Sequence, residues 1–290
     1  MLEKKNIYSA IVFCLLTIPM LLNAQINGII SDDIIIPPDY NTFSPPSVIG
    51  GSFTDPAFGA KITRMTHSGH INSPEVIGGY FSNSEICYFN KDGSYFMAST
   101  DIEEDGKRQL MSFLFNGRTG TLLKPLGRGE LNYRSRWALA DKYKMNGEYV
   151  HFNPNNHFYR LEGNEVRLYN VTDLSYVVLR KFTEYNRLGG AGDEGDISHD
   201  GRYWVLDGDG REMFAYDLID DTKHPVSTFD VGSMGSKGGR VGVDYACISP
   251  RGNYIVVSWG TDSGIGRFRG IEVYDINWNF QRQIFPGIIH

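Results

Sequence analysis

The sequence has little cysteine, no long apolar run and no excess of positive charge. Three cysteines occur in 290 residues, and none forms a Cys-x-x-Cys pair or stands at zinc-finger spacing from histidine. A disulfide-rich scaffold and a structural zinc site are therefore not expected. The formal charge is −6. Binding to nucleic acid or an anionic membrane by bulk electrostatics is excluded as the main mode of action. No segment keeps an apolar period of 3.6 residues, which argues against an α/β fold. There is no Gly-x-Ser-x-Gly elbow and no His-Glu-x-x-His motif. The glycines at 235–239 and at 264–266 neither follow a strand nor open a helix, so they are not phosphate loops.

The first residues address the chain. Glu3-Lys4-Lys5 is a short basic flank, Ile11 to Leu22 is apolar, and Leu22-Asn23-Ala24 ends the run in small residues. A spanning helix needs ~20 apolar residues, and this run is shorter and broken by Pro19. Residues 1–24 read as a secretory signal peptide cut after Ala24 rather than a membrane anchor, so a secreted or periplasmic location is expected. Residues 25–46 (with SDDIIIPPDY) form a lead-in, and 47–290 is the main domain. Cys87 and Cys247 sit in strand-like EICYF and YACIS at similar offsets before a turn, and are expected as buried thiols.

Glycine is abundant, at 33, and tyrosine and phenylalanine number 17 each. That mix favours strands and tight turns. In DEGDISHDGRYWVLDGDGREMFAYDL, Asp193 to Leu218, aromatic and β-branched runs flank Asp200-Gly201 and the Asp207 to Gly210 segment. Asp-Gly supplies the positive φ of a hairpin turn, so three strands are expected here, the first ending near Ile197. Imperfect copies follow the same plan, with turns near residues 92, 155, 200 and 251, at intervals of 63, 45 and 51. The long first interval is assigned to an insertion at 125–150, which is basic and aromatic and contains NYRSRW. Repeats of ~40–50 residues with three or four strands each predict an all-β fold, a β-propeller of four-stranded antiparallel blades.

The copies SHDGRYWV with FAYDL, and SPRGNYIVV with EVYDI, resemble the WD-repeat and TolB-like propellers. With the leader, they resemble the secreted bacterial members of that superfamily, and more distantly the propeller polysaccharide lyases. The resemblance implies blade geometry and little chemistry. Four blades are clear, with a partial one at 47–66. The chain stops on FPGIIH, which looks like the lead-in to another inner strand. It reads as a ring incomplete at its C-terminal side, with a small ring of four to five blades as the alternative.

Inner strands and their leading loops should carry any site. An extracellular carbohydrate or a partner protein is the expected ligand, with Trp137, Asp193, Glu194, Asp196, Asp244 and Tyr245 as binding candidates. Asp193, Glu194 and Asp196 read first as a solvated acidic turn. They are also where Ca²⁺ or another divalent ion would sit, though no cofactor is expected. His67, His70 and His199 are weak metal candidates, because a His-x-x-His off a helix does not align its rings. The alternative function is a lyase acting on uronate-containing polysaccharide. Arg134 or Arg136 would neutralise the substrate carboxylate, and Tyr133 or His70 would remove the acidified proton. Against it, Trp137 also reads as an inner-strand residue and the arginines as ordinary ion-pair partners.

Overall fold

The computed structural model describes residues 46–48, 50–55, 59–64, 89–104, 107–128, 135–191, 195–227, 242–260 and 267–287. The chain divides into two units, one of Met1–Ser44 and Thr54–Ile62, the other of Pro45–Phe53 and Thr63–His290. The leader and most of the lead-in lie outside the described residues. The expected strand after residue 59 is short: β1 is Ser52–Thr54 and β2 is Lys61–Thr63.

Four antiparallel sheets of the second unit follow in chain order. The first has β3 (Tyr95–Glu104), β4 (Lys107–Asn116) and β5 (Leu122–Arg128), and Phe89 bridges to Phe96 on its inner side. The second holds β6 (Ser135–Trp137), then a β7 (Lys142–Met145) and β8 (Glu148–His151) hairpin, then β9 (His157–Glu162), β10 (Glu165–Asn170) and β11 (Tyr176–Lys181). Its order is β6-β9-β10-β11, so the hairpin stands outside the sheet. The third is β12 (Leu188–Gly189), β13 (Tyr203–Gly208), β14 (Glu212–Asp217) and β15 (Thr222–Lys223), and the fourth β16 (Val243–Ile248), β17 (Tyr254–Trp259), β18 (Gly270–Asp275) and β19 (Phe280–Phe285). Each sheet is one blade.

Three sequence expectations change. The described half of NYRSRW is not inserted: Ser135–Trp137 is the inner strand of the second blade, as the alternative reading of Trp137 has it, and the extra element is the β7–β8 hairpin. The expected turn at Asp207 to Gly210 is narrower: Asp207 and Gly208 belong to β13, paired with Met213 and Glu212, and the turn itself holds Asp209 and Gly210, with φ of 54° and 70°. The inner strand of the third blade is Leu188–Gly189, paired with Gly208 and Asp207, while Ile197 lies outside any strand. Asp207 is buried because its carboxylate closes two backbone gaps, accepting from Ala191 N–H at 3.0 Å and Gly210 N–H at 2.9 Å.

The middle blades bury both faces. Along β13, Trp204 and Leu206 join a core with Tyr159, Leu161 and Leu168 of the second blade. Val205, pointing the other way, joins Ala246, Ile255, Val257 and Trp259 of the fourth. A two-residue side-chain period with apolar groups at every position therefore requires a blade on each side. The first and second blades meet through Met97, Leu114, Trp137 and Phe158. Between the second and third, the Tyr143 and Tyr159 hydroxyls bond each other at 2.7 Å, and burial pushes both phenols well above their ordinary value.

One turn recurs before the second strand of three blades: Asn90 to Tyr95, Ser198 to Tyr203 and Ser249 to Tyr254. The first residue's N–H donates to the tyrosine carbonyl at 3.1, 2.9 and 2.7 Å. Its side-chain oxygen accepts the tyrosine N–H at 2.9, 2.8 and 3.1 Å. Its carbonyl accepts the glycine N–H at 3.0, 2.8 and 2.8 Å. Gly93, Gly201 and Gly252 have φ of 70°, 73° and 74°, which L side chains adopt at a cost.

The last two glycines also seat the turn on the preceding blade. A Cβ on Gly201 would lie 2.6 Å from Ala140 N, and one on Gly252 2.6 Å from the Tyr203 ring, whereas Gly93 has nothing within 4 Å. Gly93→Ala should therefore cost only the backbone strain, ~1–2 kcal/mol. Gly201→Ala should cost about 1–3 kcal/mol more, because the rigid backbone of the neighbouring blade must shift. Urea unfolding of both variants checks this, and equal losses would refute the seating role.

Candidate functional site

A cavity of about 580 Å³ opens where the inner segments of the four blades approach one another. Phe89, Asn90 and Lys91 line it from the first blade, and Trp137 and Leu139 from the second. The third contributes Gly195, Asp196, Ile197 and His199, and the fourth Tyr245, Cys247, Ile248 and Pro250. The size falls in the range of small-molecule sites, and the wall is mostly apolar with a few polar groups, as such sites are.

β6 sets up one side of it by alternation. Trp137 points toward the first blade, where its ring stacks at 6.4 Å on Tyr95 and meets Phe158 edge-on at 6.3 Å. Only 3% of Trp137 is exposed, which leaves the cavity an edge of the indole rather than a stacking face. Arg136 points toward the third blade and is 1% exposed. Its Nε and Nη2 donate to the Gly195 carbonyl at 2.9 and 2.5 Å, and its Nη1 to the Ser135 carbonyl at 2.8 Å. The guanidinium also lies 5.5 Å from the Trp204 ring centroid and 3.6 Å from Asp196 Oδ1. Gly195 has to be small here, since a Cβ would fall 2.4 Å from the Ala246 carbonyl.

The carboxylate of Asp196 is half-buried and also accepts Ile197 N–H at 2.8 Å. On the fourth blade, the register of β16 against β17 slips between Val243 and Tyr245. Asp244 is the extra residue, and Tyr245 follows it onto the cavity wall. Both are half-buried. Cys247, expected buried, is half-buried on the same strand, and its counterpart Cys87 lies outside the described residues.

The turn end of the cavity was not anticipated. Lys91, His199 and Pro250 all occupy the second position of the recurring turn, and all three are exposed at that mouth. Leu139 stands with them, its carbonyl accepting the Lys91 ammonium at 3.0 Å. The His199 N–H donates to the Pro250 carbonyl at 2.8 Å, fixing the two turns together.

This is a β-propeller fold. Among solved structures the chain is similar to an oligogalacturonate lyase in complex with manganese, at 13% identity and a TM-score of 0.45. It is also similar to the oligogalacturonate lyase of Vibrio parahaemolyticus, at 11% and 0.47. Each likeness covers 80% of this chain and 58% of the lyase chain. TolB from Acinetobacter baumannii is similar at 13% identity and a TM-score of 0.37, over 78% of this chain and 46% of that one. The chain thus spans well under two thirds of the length of these propellers. No protein-family model matches it, and no curated protein does.

Of the residues singled out from sequence, Trp137, Asp196, Tyr245 and His199 line the cavity. Asp244 is not on its wall, and Arg136 lies buried between blades. Tyr133, Arg134, His67, His70, Asp193 and Glu194 lie outside the described residues. Among the described residues no three His, Cys, Asp or Glu side chains gather as a metal would require. Phe89, Lys91, Leu139, Ile248 and Pro250 were missed. Aligning the turns NKDG, SHDG and SPRG would have brought Lys91 and Pro250 forward with His199.

Arg136→Ala should act on stability first. It removes two donors from the buried Gly195 carbonyl and the interblade contact with Trp204, at a cost of about 2–4 kcal/mol. Urea unfolding should show this loss, with Arg136→Lys in between. A variant as stable as the parent would contradict the bridging role.

Proposed function

We propose that the protein is an exported binding module whose ligand occupies the cavity between the inner segments of the four blades. The observation that carries this reading is the cavity itself: four repeats each lend it residues, and its wall joins apolar surface to Asp196, His199 and Lys91. The reading includes extracellular carbohydrate or an inserted group of a partner protein as ligands. For a sugar ring the half-buried Tyr245 on the wall is the proposed platform, since only 3% of Trp137 is exposed. Export rests on the leader sequence. No helix among the described residues is long and apolar enough to cross a membrane.

The lyase alternative gains no support from the described residues. Arg136, one of its two neutralising cations, directs three donors at backbone carbonyls. Tyr133, Arg134 and His70 belong to undescribed segments. The likeness to oligogalacturonate lyases is one of fold, over 58% of those chains, and does not carry their activity here.

Native mass spectrometry against a panel of neutral and acidic oligosaccharides tests the reading. One-to-one binding by the parent, weakened about two- to twelve-fold in Tyr245→Ala, is the expected result, an aromatic platform being worth roughly 0.5–1.5 kcal/mol. Binding untouched by Tyr245→Ala would move the site elsewhere. A blank panel would remove carbohydrate as the ligand class.

A further inference from the structure

We propose that the cavity selects a small amphiphilic anion, with its apolar body against Phe89, Leu139 and Ile248 and its one anionic group between Lys91 and His199. This rests on the cavity being the ligand site and adds the chemistry of what enters it.

The recurring turn decides the charge at the mouth. Its second residue lines the cavity, and there the chain carries Lys91, His199 and Pro250. Its third residue is Asp92, Asp200 or Arg251, none of which lines it. The two carboxylates are turned back into their own loops. Asp92 Oδ1 accepts the Ser94 N–H at 2.9 Å, and hydrogen bonds from the Ser94 side chain and backbone hold its carboxyl below the ordinary value. Asp200 Oδ1 accepts the Ser198 hydroxyl at 2.6 Å and the Arg202 N–H at 3.1 Å. The turns thus keep their anions for capping and present their cation and imidazole to the opening.

Lys91 is available to a ligand. Its ammonium is held by a neutral partner, the Leu139 carbonyl, and makes no ion pair among the described residues. The carboxylate on the wall, Asp196, is already offset by Arg136 at 3.6 Å. A ligand anion at the mouth would therefore meet Lys91 and an imidazole N–H without facing an uncompensated carboxylate in the cavity.

The apolar part of the wall sets the other half of the preference. Phe89, Leu139, Ile248 and Pro250 offer no hydrogen-bond partners from their side chains. A hydroxyl set against that part of the wall would be left unpaired, at about 1–3 kcal/mol, whereas Asn90, Asp196 and Tyr245 elsewhere on the wall can pair with a ligand's hydroxyls. An uncharged apolar molecule would fit the wall but leave the ammonium unanswered. A single carboxylate, sulfonate or phosphate on an apolar frame satisfies both.

Two probes with the same ring body test this: 1-anilinonaphthalene-8-sulfonate, and N-phenyl-1-naphthylamine, which lacks the sulfonate. Fluorescence titration of the full chain should show saturable one-to-one binding, tighter for the sulfonate. In the Lys91→Gln/His199→Gln variant the ratio of the two affinities should fall about tenfold, with the thermal unfolding midpoint confirming an intact fold. Leu139→Trp, which narrows the cavity, should weaken both probes. Equal affinities in the parent, or an unchanged ratio in the double variant, would overturn the anion preference while leaving the cavity as the site. Failure of both probes to saturate would overturn the amphiphilic-anion proposal, while the oligosaccharide panel decides the cavity reading separately.

Discussion

The structure depends on a six-residue turn that closes on itself and, in the third and fourth blades, rests against the preceding blade. Within the turn, one serine or asparagine satisfies the tyrosine N–H through its side chain and engages the tyrosine carbonyl and glycine N–H through its backbone. The tyrosine and glycine donors at the inner corner are thereby satisfied, so Gly201 and Gly252 can be buried in a seam while the turn's second and third residues stay exposed. Glycine then supplies both the positive φ and the clearance that lets Ala140 approach at Gly201 and Tyr203 at Gly252. A sheet of this size with apolar groups on both faces has no stability alone. The turns are how each sheet is held against its neighbour.

The same seams create the candidate site. Inner segments held by these turns cannot close on one another completely, and the space left over is the cavity. Its wall consists of residues that the repeat places by geometry: the second turn position at one end, and the inner-strand residues Trp137 and Tyr245 further in. Arg136 and Gly195 belong to the framework. They join the second, third and fourth blades at one point, and the arginine fixes the loop that carries Asp196. A propeller of this kind can change ligand by changing side chains at the mouth while the capping residues stay constant.

The fold was legible in the sequence where its signals are local. The three capped turns and the apolar runs around Trp204 and Val257 carry their own geometry in their residue types. Asp207-Gly208 misled because the dipeptide looks the same in a strand as in a turn, and only the buried contact with Ala191 distinguishes them. The stretch around Ser135–Trp137 was assigned to an insertion because three residues show no period, although the reading of Trp137 as an inner-strand residue holds. Arg136 was read as a substrate-neutralising cation or an ion-pair partner; its pairing with Asp196 fits the second reading, but its main partner, the Gly195 carbonyl, is 59 residues away and left no mark in the sequence. The turn end of the cavity went unseen for a related reason: the residues that line it come from four blades, and nothing in any one blade marks them as neighbours.

Native-state hydrogen exchange tests the central claim most directly. Among the described residues, three of the amides that donate between blades are Leu188, to the Gly163 carbonyl at 2.7 Å, Ala246, to Ala191 at 2.7 Å, and His199, to Pro250 at 2.8 Å. If the seams hold the sheets together, these amides should open with the same free energy as the slowest amides inside β13 and β17, because no blade can part from its neighbour without unfolding. Exchange of the three through openings of much lower free energy, while the sheet interiors stay protected, would show blades that are stable by themselves and would contradict the account.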